Sequence, residues 1–282
     1  MVDKSEQRRK AEEFLALHSS DEILILPNAW DVASKEIFER EGFKAIGTTS
    51  AGVAATLGHA DGEKMTLGDN LQVVKRIADN TALPVSADME AGYADSIEGL
   101  ADTAEAVLGT GAVGLNIEDS TGDPRVPLFD KNDQQDKIRA VRAASKSSGV
   151  HLVINARTDV YLVDGDVSKQ LRRTIERGNL YREAGADCIF VPDVGNLDKS
   201  CMEVLVREID APVNVIAGAT TPAVAELQDI GVARLSLGPR PMRALLALLR
   251  NIARELKATG TYELMADPSI SYAEVNGWFS ND

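Results

Sequence analysis

Short apolar runs rich in β-branched residues alternate with amphipathic, helix-like stretches along most of the chain, and this alternation constrains the fold more than any other feature. Eight such runs occur in the 282 residues. They are 23–30, 45–50, 84–90, 113–119, 151–159, 188–193, 212–217 and 234–239. Strands that alternate with helices form βαβ units with a parallel sheet. Eight units in a chain of this length predict a single (β/α)8 barrel of the TIM type rather than an open doubly wound sheet.

Glycine residues at the helix ends support this repeated construction. The segments EREGFKAIG, GTGAVGLNI, REAGADCIFV and QDIGVARLSL each place a glycine between a helix-like stretch and the next strand. Glycine suits the left-handed residue that ends many helices. No GxGxxG follows the first strand, which weakens a Rossmann alternative. We expect residues 1–258 to form the barrel with an N-terminal helix, and 259–282 to form an extension that packs on the barrel or on another subunit.

The charge and the rare residues exclude several functional classes. The formal net charge is −14, from 44 acidic and 30 basic residues, which argues against binding to nucleic acid or to an anionic membrane. No run is long and apolar enough to span a bilayer, and the charged N-terminus lacks the apolar core of a signal peptide, so we expect a cytoplasmic protein. Two cysteines and three histidines give neither a disulfide framework nor a zinc-protease motif.

Charged and polar residues collect where the predicted strands end. Asp88 and Glu90 follow the third run, Glu118 the fourth, Arg157 the fifth, and Asn214 lies in the seventh. In a (β/α)8 barrel the strand ends converge on the face that carries the active site. A buried carboxylate needs a partner, and these side chains would supply partners to one another or to a cation. Three further acids at strand ends are explained equally well as caps of the following helices: Asp119, Asp159 and Asp193.

Carboxylates from adjacent strands are ligands that Mg²⁺ or Mn²⁺ prefers. We interpret Asp88 as a direct ligand, with Glu90 and Glu118 holding coordinated waters. Arg157 could form a forked contact with an anionic substrate, and the small residues of 48–54 offer backbone N–H groups to a carboxylate. These residues predict a pocket for a small 2-oxo or 2-hydroxy acid whose reaction passes through an enolate.

Four segments resemble the isocitrate lyase/phosphoenolpyruvate mutase superfamily. They are NAWDVASKEIFEREGFKAIGTTSAGVAATLGHADGE, SADMEAGYAD, GAVGLNIEDS and VINARTDVY, and the resemblance covers roughly residues 23–250. It implies an α/β barrel with Mg²⁺ at the C-terminal mouth and a small carboxylic acid as substrate. It also implies chemistry on C–C or P–C bonds through a metal-bound enolate. The last helix commonly packs onto a neighbouring subunit in this superfamily, so we expect a homo-oligomer, either a dimer or a tetramer.

The resemblance also implies roles for individual residues. The two acids of the metal motif fall on Asp88 and Glu90, and the acid of the next strand falls on Glu118. The matched substrate-binding positions are Trp30 and the loop Ser50, Ala51 and Gly52, and the matched catalytic positions are Asp61 and Arg157. To the substrate pocket we add Asn214, because of its strand position, and to the catalytic residues we add Arg125.

The loop after Glu118 departs from the superfamily pattern. Isocitrate and 2-methylisocitrate lyases carry Lys-[Lys/Arg]-Cys-Gly-His there, with the cysteine as proton donor, whereas this chain reads EDSTGDPRVPLFD at 118–130. Phosphonomutases place lysine and asparagine in the same loop, and here Arg125 is the only early cation. The glycine and prolines of this loop predict either a lid with defined turns or a plain surface loop.

These observations favour a Mg²⁺-dependent carbon–carbon lyase, of the decarboxylase or retro-aldol type, that acts on a small 2-oxo or 2-hydroxy di- or tricarboxylic acid. A decarboxylation of the oxaloacetate type needs no cysteine on the loop. Two alternatives stay open. One is a P–C bond phosphonomutase or phosphonopyruvate hydrolase in which Arg125 serves the phosphoryl group. The other is a non-catalytic ligand-binding protein that has kept the fold.

Overall fold

Nine parallel strands form one sheet in the computed structural model, which describes residues 2–193, 195, 197–266 and 270–280. Along the sheet the strands follow the order β1-β9-β8-β7-β6-β5-β4-β3-β2. The strands are β1 (Leu24–Leu26), β2 (Asn28–Ala29), β3 (Ile46–Thr48), β4 (Val85–Asp88), β5 (Gly114–Glu118), β6 (Val153–Arg157), β7 (Cys188–Val191), β8 (Val213–Ile216) and β9 (Arg234–Ser236). Every predicted run contains a strand, and the predicted α/β barrel is confirmed.

The ninth strand arises because the first predicted run is divided at Pro27. Proline lacks the N–H group that a sheet requires, so the run forms β1 before Pro27 and β2 after it. β1 pairs with β9 while β2 pairs with β3. One short segment therefore supplies both edges of the sheet, and the barrel is nearly closed.

Ten helices accompany the strands up to residue 238, within the described part of the chain. They are α1 (Lys4–Leu17), α2 (Val32–Arg40), α3 (Ser50–Thr56), α4 (Leu67–Asp79), α5 (Ile97–Gly109), α6 (Lys131–Ser148), α7 (Val160–Val163), α8 (Val167–Ala184), α9 (Lys199–Glu208) and α10 (Val224–Ile230). The short helices α3 and α7 were not expected from the sequence. Both directly follow strand ends, so they lie where a barrel places its functional loops.

The two faces of the sheet differ in polarity. Leu115 pairs with Ile154 and both belong to the apolar core. Their neighbours Asn116 and Asn155 also pair, are buried, and lie on the opposite face, where the Asn155 amide donates to Asn116 Oδ1 at 2.6 Å. The interior of the barrel therefore carries polar side chains, while the outer face of the sheet supplies the packing against helices.

Helix α1 packs at the N-terminal end of the barrel. Phe14 of this helix is fully buried. A Cβ atom on Gly114, the first residue of β5, would lie 2.6 Å from Cε1 of Phe14. Because no side chain fits that space, glycine at position 114 is required for α1 to approach the strands.

Residues Pro239–Asp282 form a second compact unit, distinct from the unit Met1–Gly238. Its helices are α11 (Arg240–Ala258), α12 (Glu263–Ala266) and α13 (Tyr272–Gly277). Glu255 of α11 accepts hydrogen bonds from the backbone of Glu263 and Leu264, which ties α11 to α12. Residues 267–269 and 281–282 of the predicted extension lie outside the described residues. None of the described helices has the length and hydrophobicity needed to cross a bilayer.

Candidate active site

Asp88, the last residue of β4, has one carboxylate oxygen that accepts a hydrogen bond and one that does not. Its Oδ2 accepts the N–H of Ser50 at 2.9 Å. Its backbone is fixed on both sides, because its N–H donates to Thr48 Oγ1 at 2.8 Å and its carbonyl accepts from the Asn70 amide at 3.0 Å. The Oδ1 atom is buried without any hydrogen-bond partner. A buried, unpartnered carboxylate oxygen is costly, so this atom points to a ligand that the protein itself does not provide.

The predicted carboxylate loop forms the beginning of helix α3, next to Asp88. Thr49 caps the helix, and Ser50, Ala51 and Gly52 are its first residues. Gly52 lies against Trp30, since a Cβ atom on this glycine would lie 2.9 Å from Cβ of the tryptophan. Trp30 is itself buried. The structure thus brings these predicted substrate-binding residues together beside the metal-motif aspartate.

Glu90 is held in a strained backbone conformation by its neighbours. Glu63, Glu90 and Tyr93 are the non-glycine residues with positive φ among those described, at 56°, 48° and 54°. The Tyr93 hydroxyl donates to Glu90 Oε1 at 2.6 Å, and the Glu63 N–H donates to Oε2 at 2.7 Å. The Tyr93 N–H donates to Glu63 Oε1 at 2.7 Å. Burial raises the pKa of Glu90, against the opposing effect of the Tyr93 hydrogen bond. Strain of this kind is typical of functional sites.

Arg157, at the end of β6, is clamped between two carboxylates. Its Nη1 lies 2.6 Å from Glu118 Oε2, while its Nε and Nη2 lie 2.5 Å and 2.9 Å from the two oxygens of Asp159. Burial raises the pKa of Glu118 well above its ordinary value, although Arg157 opposes this. Burial would lower the pKa of Arg157, but Asp159 and Glu118 raise it. A guanidinium has five N–H groups, so two remain for a substrate after these three contacts.

A second set of hydrogen bonds, centred on Asp119, supports Asp159 and thereby Arg157. Asp119 is fully buried, and its Oδ1 accepts the N–H of Asp159 at 2.8 Å. Its Oδ2 accepts from the Tyr181 hydroxyl at 2.7 Å and from Arg177 Nη1 at 2.9 Å. Arg177 also donates to the carbonyl of Phe129 at 2.9 Å. The sequence is also consistent with Asp119 and Asp159 as caps of the following helices. In the structure, the Asp159 side chain contacts Arg157 directly, and Asp119 positions Arg157 through the backbone of Asp159. Arg177 and Tyr181 were missed, because their only signal is an i, i+4 spacing on α8.

Asp61 completes the cluster of acids. Desolvation and then the charge of Asp88 raise the pKa of Asp61, and a hydrogen bond from the Ser50 side chain partly offsets the effect. Within the described ranges, no three Asp, Glu, His or Cys side chains are arranged closely enough to hold a metal ion by themselves. Both oxygens of Glu90 and Oε2 of Glu118 are engaged as described above. Asp88 Oδ1 is the buried oxygen of the predicted metal motif that has no hydrogen-bond partner.

Two predicted site residues have partners outside this cluster. Asn214 of β8 is fully buried and exchanges hydrogen bonds with Ser236 Oγ, at 3.1 and 3.2 Å. It belongs to the interior of the barrel, in register with the first residue of β9. Arg125 lies at the tip of the 118–130 loop with 87% of its side chain exposed, and its Nη2 pairs with Asp123 at 2.7 Å. In this conformation its guanidinium is turned to solvent.

The loop that carries Arg125 is a small, internally bonded hairpin. Ser120 and Leu128 form an isolated antiparallel bridge, and the Thr121 N–H donates to the Pro127 carbonyl at 3.1 Å. The end of the loop is anchored where the Phe129 N–H donates to the Asp119 carbonyl at 2.9 Å. The turns predicted from its glycine and prolines are thus present, and the loop starts and ends on the residues that support Arg157.

Comparisons with known proteins show the family of this chain. A family model described as "Phosphoenolpyruvate phosphomutase" matches residues 14–257. The chain belongs to this family. The 2-methylisocitrate lyase of Escherichia coli (strain K12) is 30% identical over 238 residues, which are 81% of this chain and 78% of that protein. An uncharacterised protein of Mycobacterium tuberculosis (strain ATCC 25618 / H37Rv) is 38% identical over 243 residues, which are 86% and 87% of the two chains.

A crystal structure described as a lyase/mutase of Burkholderia cenocepacia J2315 matches with a TM-score of 0.90 and 32% identity, over 97% of each chain. Together these relatives confirm the predicted membership of the isocitrate lyase/phosphoenolpyruvate mutase superfamily. Its members are lyases and mutases, so the protein is an enzyme of this superfamily.

Proposed function

We propose that the protein is a divalent-metal-dependent carbon–carbon lyase that acts on a small 2-oxo or 2-hydroxy di- or tricarboxylic acid through an enolate. The observation that carries the proposal is the buried, unpartnered Oδ1 of Asp88 beside the Arg157 clamp. The Asp88 oxygen is a ligand for a cation, and Arg157 has two uncommitted N–H groups that can donate to a carboxylate. A substrate that is both metal-chelating and anionic satisfies both.

The acids around Asp88 suit a hard cation such as Mg²⁺, with Mn²⁺ as the alternative. The raised pKa values of Asp61, Glu90 and Glu118 reflect burial first, and each is raised further by the charge of Asp88. A divalent cation would relieve that repulsion. When bound, it would supply a Lewis acid that polarises the oxygens of a 2-oxo acid. Asp88 would hold it directly, and Glu90 and Glu118 would hold its waters.

The remaining chemistry belongs to the side chains of this chain. Arg157 would orient a substrate carboxylate through its two uncommitted N–H groups, because Asp159 and Glu118 already fix the plane of its guanidinium. The segment Ser50–Gly52 would face the second carboxylate from the start of α3. Tyr93 would stay protonated, since burial and the Glu90 carboxylate raise its pKa. Its hydroxyl proton is donated to Glu90 Oε1, so Tyr93 would hold the Glu90 carboxylate in place.

The 118–130 loop favours carbon–carbon over carbon–phosphorus chemistry. It contains no cysteine, histidine or lysine, and so it lacks the proton-donating cysteine motif expected of a 2-methylisocitrate lyase. Arg125, the cation that a phosphoryl group would need, is exposed and paired with Asp123. A decarboxylation releases carbon dioxide and leaves an enolate without prior protonation of a leaving group. We therefore favour a 2-oxo acid of the oxaloacetate type, and an acid of the alkylmalate type is the alternative for a retro-aldol reaction.

The test uses purified protein that has been stripped with a chelator and then supplied with Mg²⁺ or Mn²⁺. We expect oxalate, which mimics the enolate, to bind in calorimetry only when the metal is present. We also expect turnover within a panel of oxaloacetate-like and alkylmalate-like acids. The proposal fails if oxalate does not bind and no acid of the panel is consumed. Phosphonopyruvate followed by phosphorus NMR separates the alternative, because a shifted phosphorus signal would indicate a mutase or hydrolase.

A further inference from the structure

The N-terminal end of the barrel interior contains an arginine without a counter-charge. Arg234, the first residue of β9, is 1% exposed. Its Nε donates to Ser236 Oγ at 3.2 Å, and its Nη1 has no partner. No carboxylate among the described residues forms an ion pair with it. An uncompensated buried charge strongly destabilises a folded protein, so a missing partner is expected here.

Two other unpartnered polar groups lie around the same place. The ring of Phe14 lies 6.0 Å from Arg234 Cζ and 4.8 Å from the ring of His18. The Cβ position of Gly114, which lies 2.6 Å from Phe14 Cε1, is 3.1 Å from Ser86 Oγ. Ser86 Oγ and His18 Nε2 are both buried without a hydrogen-bond partner. A cation and two unsatisfied polar atoms therefore surround one aromatic ring, inside a barrel end that α1 covers.

The local charge balance at this cluster is positive. Burial lowers the pKa of Arg234 to about 10, with Cys188 and the more distant Asp88 acting in the opposite direction, so the guanidinium keeps its charge at neutral pH. Burial raises the pKa of Cys188 to about 12, so that thiol is neutral. Burial also lowers the pKa of His18 to about 4, so its ring is neutral as well. None of these neighbours compensates the charge of Arg234.

We propose that this cluster binds a small monovalent inorganic anion of the size of chloride, between Arg234 Nη1 and the Ser86 hydroxyl. Both groups are hydrogen-bond donors, and an anion provides the charge compensation that a water molecule cannot. His18 bonds to the Phe14 carbonyl through Nδ1 at 2.8 Å, so its Nε2 is an acceptor in the neutral ring. The position next to Nε2 therefore suits a hydrogen-bond donor and is not part of the proposed anion site. The site stabilises the fold and is independent of the proposed lyase activity.

The first experiment measures the thermal unfolding of the full chain in potassium chloride, potassium bromide and potassium gluconate at one pH and one ionic strength. We expect Tm to be higher in chloride or bromide than in gluconate by about 2 °C or more. The increase should reach a plateau as the halide concentration rises. Arg234→Met should remove this dependence. Arg139→Met is the matched control, because Arg139 is a surface residue with 54% of its side chain exposed, and this variant should behave as the wild type.

The second experiment needs no variant. A crystal grown in bromide should show an anomalous peak within hydrogen-bonding distance of Arg234 Nη1 and Ser86 Oγ. If Arg234→Met fails to fold, Ser86→Ala replaces it and should weaken the halide dependence of Tm. The proposal is overturned if the crystal shows only water at this position. It is also overturned if Tm is the same in halide and gluconate, or if the Arg234 or Ser86 variant retains the full halide effect.

Discussion

At the scale of single residues, the candidate site depends on which oxygen atoms already have partners. Both Glu90 oxygens accept hydrogen bonds, and Glu118 is paired with Arg157. Asp88 alone among the three residues of the predicted metal motif has a buried, unpartnered oxygen. The three acids that look equivalent in the sequence therefore have different roles in the structure, with Asp88 as the direct ligand in our proposal.

The substitution Asp88→Asn tests this assignment. It keeps the size of the side chain and the acceptor for the Ser50 N–H, but it removes the charge. We expect the affinity for Mn²⁺ to fall by about 100-fold or more, measured by electron paramagnetic resonance of free Mn²⁺. Asp79→Asn is the control, since Asp79 is an exposed helix residue paired with Lys75. Equal Mn²⁺ affinity in the wild type and Asp88→Asn would rule out a metal at this position.

His18 gives a prediction about pH. Burial lowers its pKa from 6.5 to about 4, so the folded state binds fewer protons than the unfolded state between these values. The stabilisation from neutral His18 is full above pH 6.5 and is lost as the pH falls towards 4. We expect the free energy of unfolding of the wild type to fall by about 2 kcal/mol more than that of His18→Asn between pH 6.5 and pH 4.5.

The Asn side chain in this variant can still donate to the Phe14 carbonyl but cannot titrate in this range. Urea unfolding at the two pH values provides the measurement, and carboxylates elsewhere contribute equally to both proteins. Parallel pH profiles of the wild type and His18→Asn would show that the ring is already charged, or accessible to water, in the folded protein.

At the scale of elements, helix α8 connects the 118–130 loop with the substrate arginine. Arg177 donates to the Phe129 carbonyl at the end of the loop and to Asp119, which holds Asp159. Asp159 in turn holds Arg157. A movement of the loop end is thereby coupled to the orientation of the arginine, through contacts between elements that are far apart in sequence.

The substitution Arg177→Met should break this connection while keeping most of the side-chain volume. It leaves Asp119 with a buried charge and one partner fewer, so we expect a loss of about 3 kcal/mol in the free energy of unfolding. Amide exchange in residues 119–130 should increase when followed by mass spectrometry. Arg172→Met, an exposed position on the same helix, is the control and should change neither quantity. Unchanged exchange in the loop of Arg177→Met would show that Arg177 does not anchor it.

At the scale of the whole molecule, helix α11 presents an apolar surface. Its exposed leucines are Leu245, Leu246, Leu248, Leu249 and Leu256. Exposed apolar patches on a helix typically mark an interface. We propose that the protein is a homo-oligomer, a dimer or tetramer, in which this helix packs on a neighbouring subunit, as expected from the sequence.

The double substitution Leu245→Glu/Leu249→Glu tests the interface. These residues are 52% and 60% exposed, so the change should not disturb the packing within one chain. We expect the mass measured by light scattering after size-exclusion chromatography to fall to that of a smaller species. Leu57→Glu, at a position of 42% exposure in the first unit, should leave the mass unchanged. A wild-type protein that is already monomeric would contradict the proposal.

Local patterns predicted most of the architecture. The run 113–119 contains β5 and the run 151–159 contains β6, because a buried parallel strand needs a short apolar segment with β-branched residues. Gly185 and Gly231 adopt positive φ after α8 and α10, as expected of glycines that end helices. The short helices α3 and α7 were missed, because a few helical residues after a strand carry no periodic signal.

The sequence by itself determined the barrel, the family and the set of acids that meet at its mouth, because strand periodicity and motif order are local properties of the chain. Tertiary structure alone decided which oxygen of Asp88 stays free, that Arg125 is turned to solvent, and that Arg177 and Tyr181 support Asp119. It also left Arg234 buried without an ion-pair partner among the residues that the structure describes. These outcomes depend on hydrogen-bond partners from distant segments, and such partners are chosen only when the helices and strands pack together.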